Sequence, residues 1–446
     1  MTKTRIGTGL ALLVSLLLLP SLALAEEAAA AAPSLNSGDT AWMLASTALV
    51  LMMTIPGLAL FYGGLVRKQN MLATTMQSFA TCSLVAVVWA VAGYSLAFTN
   101  GMVNWNGATM MGDFSRFLFS GVDHTVPFTI GAGLGNAVKT TIPEPVYMTF
   151  QMTFAIITPA LITGAFADRI KFSSMLVFMG LWSLLVYSPI AHWVWHPAGF
   201  LFKMGVLDYA GGTVVHLNAG IAGLVAAIVI GPKLQGTVTP PAYNPVFALI
   251  GASLLWVGWI GFNAGSALAA DGRAAMACAV TIIAAAMAAL SWMAVEWADR
   301  GRPSLTGKVT GAVAGLVGIT PASGFVDVPG AIAIGFAAGV VCYLAVSRLK
   351  KAFKVDDSLD CFYVHGIGGA AGAILTGVFA SKAISGTAGS LQQVIIQLAA
   401  IGTTVLWCGA VTAVILKAID LTMGLRVSAD VEKEGLDTAL HGEQIH

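Results

Sequence analysis

From position 41 onward the chain alternates between long apolar runs and short breaks that carry most of its charge. About 20 consecutive apolar residues suffice to cross a bilayer as a helix. Eleven runs approach or exceed that length: 41–66, 72–98, 146–167, 172–195, 209–230, 246–268, 274–295, 309–320, 328–346, 361–380 and 391–419. The eighth is short for a full crossing, and short or glycine-interrupted spans are a mark of transport folds. The pattern predicts an all-α polytopic membrane protein with eleven transmembrane helices.

Two of these runs carry a cost. The fifth, within DYAGGTVVHLNAGIAGL (208–224), holds His216 and Asn218, and the tenth, within DCFYVHGIGGAAGAIL, holds His365. An imidazole in hydrocarbon is expensive, so each must face protein or water. His216 is followed by Gly220 and Gly223, and His365 by Gly369 and Gly372, so both runs read H-x3-G-x2-G. Positions i, i+4 and i+7 share one helix face, which puts each histidine on a glycine stripe where another backbone can approach. Because these are the fifth and tenth runs, the chain reads as a five-helix unit repeated, plus one extra helix. An odd number of crossings inverts the second copy, and in inverted-repeat transporters the path lies between the two units. Asp208 and Asp360 precede the histidines by eight and five residues. Each is expected to cap its helix start, with substrate binding as the alternative.

Lysine and arginine collect on the cytoplasmic side of membrane proteins. Residues 1–25 read as a cleaved secretory signal, with Lys3 and Arg5, a leucine-rich core and Ala23-Leu24-Ala25 ahead of Glu26 and Glu27; an uncleaved first helix is the alternative. Residues 26–40 then form an extracytoplasmic linker, 41–419 the eleven-helix domain and 420–446 a cytoplasmic tail. With the mature N-terminus outside, fifteen lysines and arginines fall on the inner segments and five on the outer ones. A missed or invented span would scramble that alternation. The long 99–145 segment is an outer loop, with a short amphipathic piece at 114–119.

Composition agrees: 57 % of the 446 residues are hydrophobic and 10 % charged, against about 25 % charged in soluble domains. Without Lys3 and Arg5 the balance is 20 basic to 21 acidic side chains (22 − 2 against 21), so nucleic-acid binding has no electrostatic support. The cysteines Cys82, Cys278, Cys342, Cys361 and Cys408 lie in or at the start of apolar runs without paired spacing, as small buried hydrophobes do. Cys361 and His365 are one turn apart, but two ligands do not make a metal site. No metal, cofactor or enzymatic constellation is expected.

The histidine pair could join helices, bind metal or line a polar path, and matched positions in both repeats favour the path. Touching imidazoles in a dry site cannot both be cationic, so a shared proton is expected. Aromatics gather near the outer ends of spans, in Phe150-Gln151-Met152-Thr153-Phe154, at Trp195 and in Trp259-Ile260-Gly261-Phe262-Asn263-Ala264-Gly265-Ser266. An interfacial belt is their default role. Converged on one vestibule, the aromatic faces with a serine hydroxyl would hold a small cation.

GGLVRKQN (63–70), FADRIKFS (166–173), the 208–224 stretch, GWIGFNAGSA (258–267), EWADRGRPSLTG (296–307), GITPASGFV (318–326), DDSLDCFYVHGIGG and the tail stretch GLRVSADVEKEGLD resemble the bacterial ammonium transporters of the Amt/Mep/Rh superfamily. The resemblance implies a homotrimer with a central pore in each protomer. It also implies a recruitment site for ammonium or methylammonium at Phe154, Trp195 and Ser266, a gate of Phe154 stacked on Phe262, and paired pore histidines His216 and His365. Asp208 matches an aspartate near recruitment that is mainly structural. Gln69 where a lysine is common, the segment around His196-Pro197 and the long 99–145 loop depart from the pattern and bear on loop contacts.

The expected function is uptake through the bacterial inner membrane: ammonium is recruited outside, deprotonated, and crosses as ammonia past the histidines, with or without separate proton transfer. One rival is an ammonium sensor signalling through its tail, against which counts the lack of a kinase- or cyclase-like stretch after Ile419. The tail could engage a PII-type regulator in either case. A Rh-type gas channel is the other rival, but such channels generally lack the Trp195 and Ser266 pair.

Overall fold

The computed structural model describes residues 34–101, 104–105, 107–234 and 242–445. The signal segment 1–25 and most of the 26–40 linker lie outside the described residues. Among the described residues eleven apolar helices follow one another: α1 Ser37–Leu65, α2 Lys68–Phe98, α3 Glu144–Ala165, α4 Phe172–Trp195, α5 Gly212–Ile230, α6 Pro245–Gly265, α7 Gly272–Arg300, α8 Leu305–Ile319, α9 Val328–Phe353, α10 Phe362–Phe379 and α11 Leu391–Met423. Ten are long and apolar enough to cross a membrane. The exception is α8, whose 15 residues make a rod of only about 22 Å at 1.5 Å per residue. It stops at Thr320-Pro321, both buried, so its end lies inside the protein, where irregular backbone at membrane depth is tolerated.

Helix starts are set by short polar side chains that accept first-turn N–H groups. Asn36, Asn244, Asp271, Ser304, Asp327 and Ser390 do this for α1, α6, α7, α8, α9 and α11. For α5 the cap is Asp208, as expected. For α10 the expectation of Asp360 is wrong. Asp360 has a positive φ of 60° and pairs with Lys350 at 2.6 Å, while the α10 start is bonded by Asp357, which accepts the Phe362 N–H at 2.8 Å. Asp357 precedes His365 by eight residues, as Asp208 precedes His216, so the two repeats match more closely than their sequences suggested. Burial, reinforced by the Asp360 charge, pushes the Asp357 carboxyl up to about 7.

The repeats meet where the glycines predicted. A Cβ on Gly220 of α5 would lie 2.3 Å from the Gly366 backbone of α10, and one on Gly369 would lie 2.9 Å from the Leu217 nitrogen and 3.0 Å from the His216 Cβ. Each helix thus presses a glycine onto the partner's histidine turn. Both histidines sit in a widened π-type turn, Gly212–Leu217 and Phe362–Gly366, a distortion often found at functional positions. Around this pair α3 is the most enclosed span, with 89 % of its apolar stretch buried, whereas α11 is 28 % buried.

At one end of the bundle the 99–145 loop carries two short hairpins, Asn104–Trp105 with Ala108–Thr109 and Pro127–Ile130 with Val138–Pro143; the piece at 114–119 is only a turn at Phe117–Phe119. At the other end the tail folds back over the helix connections. Asp437 accepts the Leu72 and Ala73 N–H groups at 3.1 and 2.7 Å and so caps α2 from 364 or more residues away. Buried Arg169 reaches the Gly231 carbonyl at 2.9 Å and the Ser358 hydroxyl at 2.8 Å, and its own carbonyl accepts the Val427 N–H at 3.1 Å. One side chain therefore ties the α3–α4 connection to the chain after α5 and the chain before α10, and its backbone ties them to the tail.

The glycine contact gives a direct test. Gly220→Ala forces α5 and α10 apart, at a cost of about 1–3 kcal/mol by analogy with overpacked cores, and is expected to lower the melting temperature in detergent. Gly402→Ala is the control, because a Cβ there meets nothing within 4 Å, and its melting temperature is expected to stay at the parental value.

Candidate functional site

A file of three spaces runs through the bundle beside the α5–α10 contact. At the end bearing the 99–145 loop is a mouth of about 150 Å³, whose walls include Gln151, Phe154, Trp195, Tyr209 and Ser266. Next comes a lumen of about 10 Å³ among Ile157, Leu161, Leu255, Phe262, His216 and His365, near the roughly 10–15 Å³ that one water needs. Beyond it a vestibule of about 250 Å³ opens toward the tail, and His365 borders both lumen and vestibule. The phenyl rings of Phe154 and Phe262 stack at 4.1 Å between mouth and lumen.

The mouth brings together the three residues expected for recruitment. Phe154 comes from α3, Trp195 from the end of α4 and Ser266 from the residue after α6; the Phe154 and Trp195 rings meet edge to face at 5.8 Å and 87°. The Ser266 hydroxyl donates to the Phe262 carbonyl at 2.9 Å. Its proton is thereby committed, and the oxygen presents lone pairs, as a cation's N–H group requires. The Trp195 indole donates to the Asp208 carbonyl at 2.8 Å, which fixes the ring plane. Asp208 acts on both sides of that bond. Its carboxylate accepts the N–H groups of Gly211, Gly212, Thr213 and Val214 at 2.9, 2.5, 2.9 and 3.2 Å, together with the Thr213 hydroxyl. The turn this needs places Gly211 at φ 114°, a conformation open to glycine. One aspartate therefore starts α5 and aims the mouth's indole.

In the lumen His216 and His365 face each other, Nδ1 to Nδ1, at 3.3 Å. One of those nitrogens must carry the hydrogen and the other accept it. The far side of His216 decides which. Its Nε2 lies 3.3 Å from the Thr320 hydroxyl, which donates its own proton to the Leu316 carbonyl at 2.7 Å and accepts the Trp259 indole N–H at 2.9 Å. With its proton spent on the shorter contact, Thr320 accepts from His216 Nε2–H. Neutral His216 then has a bare Nδ1, His365 donates Nδ1–H to it, and His365 Nε2 is left as an acceptor. Trp259 also stacks on His216, with ring centroids 5.3 Å apart and planes 23° apart.

Of the residues expected from the sequence, Phe154, Trp195 and Ser266 border the mouth and Phe262, His216 and His365 the lumen, whereas Asp208 borders neither and touches the mouth through the Trp195 indole. Three further residues were missed or misplaced. Trp259 was grouped with the outer aromatics but packs deep in the lumen; its position one turn ahead of Phe262 was the available signal. Thr320 closes the shortest span and bore no mark in the sequence beyond that. Asp357 was overlooked because Asp360 lies nearer to His365.

A sequence profile described as the Ammonium Transporter Family matches residues 41–445. The ammonium transporter of Aquifex aeolicus (strain VF5) is 45 % identical over 431 residues, covering 96 % of each chain. That of Bacillus subtilis (strain 168) is 43 % identical, over 92 % of this chain and 99 % of its own. Among solved structures, Mep2 of Saccharomyces cerevisiae superposes with a TM-score of 0.80 at 36 % identity, covering 89 % of each chain. A structure described as a sensor Amt protein does so with a TM-score of 0.80 at 27 % identity, over 91 % of this chain and 98 % of its own.

The hydrogen-bond order around Thr320 is testable by stability. Thr320→Val leaves the Trp259 and His216 N–H groups without their acceptor, at about 1–3 kcal/mol for each buried orphan, and is expected to lower the melting temperature. Thr320→Ser keeps the hydroxyl and is expected to melt within a degree or two of the parent. Equal melting of the two variants would remove Thr320 from the network.

Proposed function

This chain belongs to the ammonium transporter family, a family of transporters and not of enzymes, and we propose that it moves ammonium through its own pore by stripping, deprotonating and re-solvating it. The observation that carries this reading is the change of character along the path: a polar, aromatic mouth, then a lumen too small and too apolar for a hydrated ion. At the mouth, the Phe154 and Trp195 faces attract the cation and the Ser266 lone pairs accept one N–H. The stacked Phe154 and Phe262 rings admit nothing with a hydration shell. No carboxylate among the described residues borders the lumen, so a bare charge there would go uncompensated. The ion therefore gives up its proton to solvent water at the mouth, the N–H bond breaking as the water becomes hydronium, and crosses as ammonia. Past the gate His365 Nε2, an acceptor in the tautomer derived above, receives one of its N–H groups. The neutral, hydrogen-bonded histidine pair replaces lost water without holding a cation.

In this reading the mouth faces outward from a bacterial inner membrane and the tail faces the cytoplasm, in line with the lysine and arginine count. The mature chain follows a cleaved leader, and three protomers assemble with one pore each. The tail, laid against the helix connections, offers a surface to a PII-type regulator; deleting it from Gly424 onward is expected to abolish capture of such a regulator by the purified protein. A sensor function is the second reading, favoured by the similarity to the structure described as a sensor Amt protein.

Two measurements test the mechanism. Trp195→Leu or Ser266→Ala is expected to raise the half-saturating methylammonium concentration about tenfold, the loss of roughly 1.4 kcal/mol of cation attraction. The double change His216→Ala with His365→Ala is expected to abolish selective uptake; unchanged uptake would end the histidine role. In supported bilayers, an ammonium-driven current that potassium cannot replace indicates transport with a proton following. Ammonium binding with neither current nor uptake would favour the sensor.

A further inference from the structure

The tail-end vestibule contains chemistry that the path described above leaves unused. Glu296 of α7 is 2 % exposed, and its carboxylate accepts the Ser304 N–H at 3.1 Å and the Ser304 hydroxyl at 2.8 Å. Each carboxylate oxygen has two lone-pair directions, so each keeps one free. The capping of α8 is done by Ser304 itself, which accepts the Gly307 N–H at 3.0 Å. Gly307 also keeps the carboxylate uncovered, because a Cβ there would lie 2.3 Å from Glu296 Oε2. Neutralisation is weak: Arg300 stands 3.9 Å from the carboxylate with its side chain 57 % exposed, and such long, solvated pairs bind loosely. The other carboxylate on the wall, Asp360, is held by Lys350 at 2.6 Å.

On the same vestibule wall Ser347 of α9 is 7 % exposed and has no hydrogen-bond partner for its hydroxyl among the described residues. A buried hydroxyl without a partner, on the wall of the same vestibule as an under-neutralised carboxylate, is what a small donor-bearing cation would satisfy. We propose that Glu296 and Ser347 form a second cation site, open to the tail side, that takes ammonium or methylammonium with N–H groups directed at the Glu296 lone pairs and the Ser347 oxygen. The inference rests on the transport reading above, because the ligand is the transported ion after it has regained its proton on the far side. The site lies between His365 and the tail-side solution. Its occupancy places a positive charge at the exit and slows further passage, so the product restrains its own entry.

The test uses the full chain reconstituted in oriented proteoliposomes with the tail inside, following labelled methylammonium entry against trapped ammonium, with trapped choline at equal ionic strength as reference. For the parent, trapped ammonium is expected to reduce the initial rate in a saturable way. For Glu296→Gln and, separately, Ser347→Ala, each normalised to its own rate with choline, the half-inhibitory ammonium concentration is expected to rise at least fivefold. Parental half-inhibition in both variants, or no inhibition of the parent, overturns the site while the transport reading stands. Absence of any ammonium-dependent uptake by the parent overturns the transport reading itself, and this site with it.

Discussion

Backbone-to-backbone contact between α5 and α10 is the constraint on which the pore depends. Two imidazoles can exchange a hydrogen bond across the lumen only if the helices bearing them come closer than side chains normally allow. Gly220 against Gly366, and Gly369 against the His216 turn, provide that approach from both directions. The reciprocity follows from the repeat: the same glycine spacing serves each helix in turn, and the same aspartate, eight residues ahead of each histidine, fixes where each helix begins. Once the approach is set, the lumen between the helices is left with a volume of about 10 Å³, near the space of a single water.

The mouth depends on this arrangement at one remove. Asp208 starts α5 through its carboxylate and orients Trp195 through its carbonyl, so the aromatic face of the mouth and the helix that carries His216 share one anchor. At the opposite end the tail caps α2 through Asp437, and its strand-like passage at Arg426 and Val427 runs beside Arg169, whose guanidinium grips the chain on both sides of the pore. The tail, the α3–α4 connection, the chain after α5 and the chain before α10 are thus not independent loops but one hydrogen-bonded layer.

Much of this was legible in the residues. Hydropathy located all eleven helices because lipid requires each crossing to be apolar along its length, and the matched histidines with their glycines pointed to the contact between the fifth and tenth. What escaped was whatever depends on geometry that side-chain type does not encode. Both histidine turns are widened, and nothing in Gly212–Leu217 or Phe362–Gly366 announces a π-type turn. The choice of Asp357 over Asp360 as the α10 cap is decided by Lys350, which lies on the preceding helix and claims Asp360. Trp259 looked like an interfacial aromatic because its depth is set by the packing of α6 against α1, and not by its place in the apolar run.

The shortness of α8 has an electrical meaning. A helix that crosses the whole bilayer leaves its two partial charges at the two surfaces, where water screens them. By ending at Thr320, beside His216, α8 delivers the negative end of its dipole to the middle of the protein, where little solvent is present to weaken it. The start of α5 has its positive end offset by the Asp208 carboxylate, and the start of α10 is met by Asp357, whose oxygen accepts the Phe362 N–H. The His216 side of the lumen is therefore met by the partial negative end of a helix, a polarity supplied by backbone carbonyls and not by any ionised side chain among the described residues that border it.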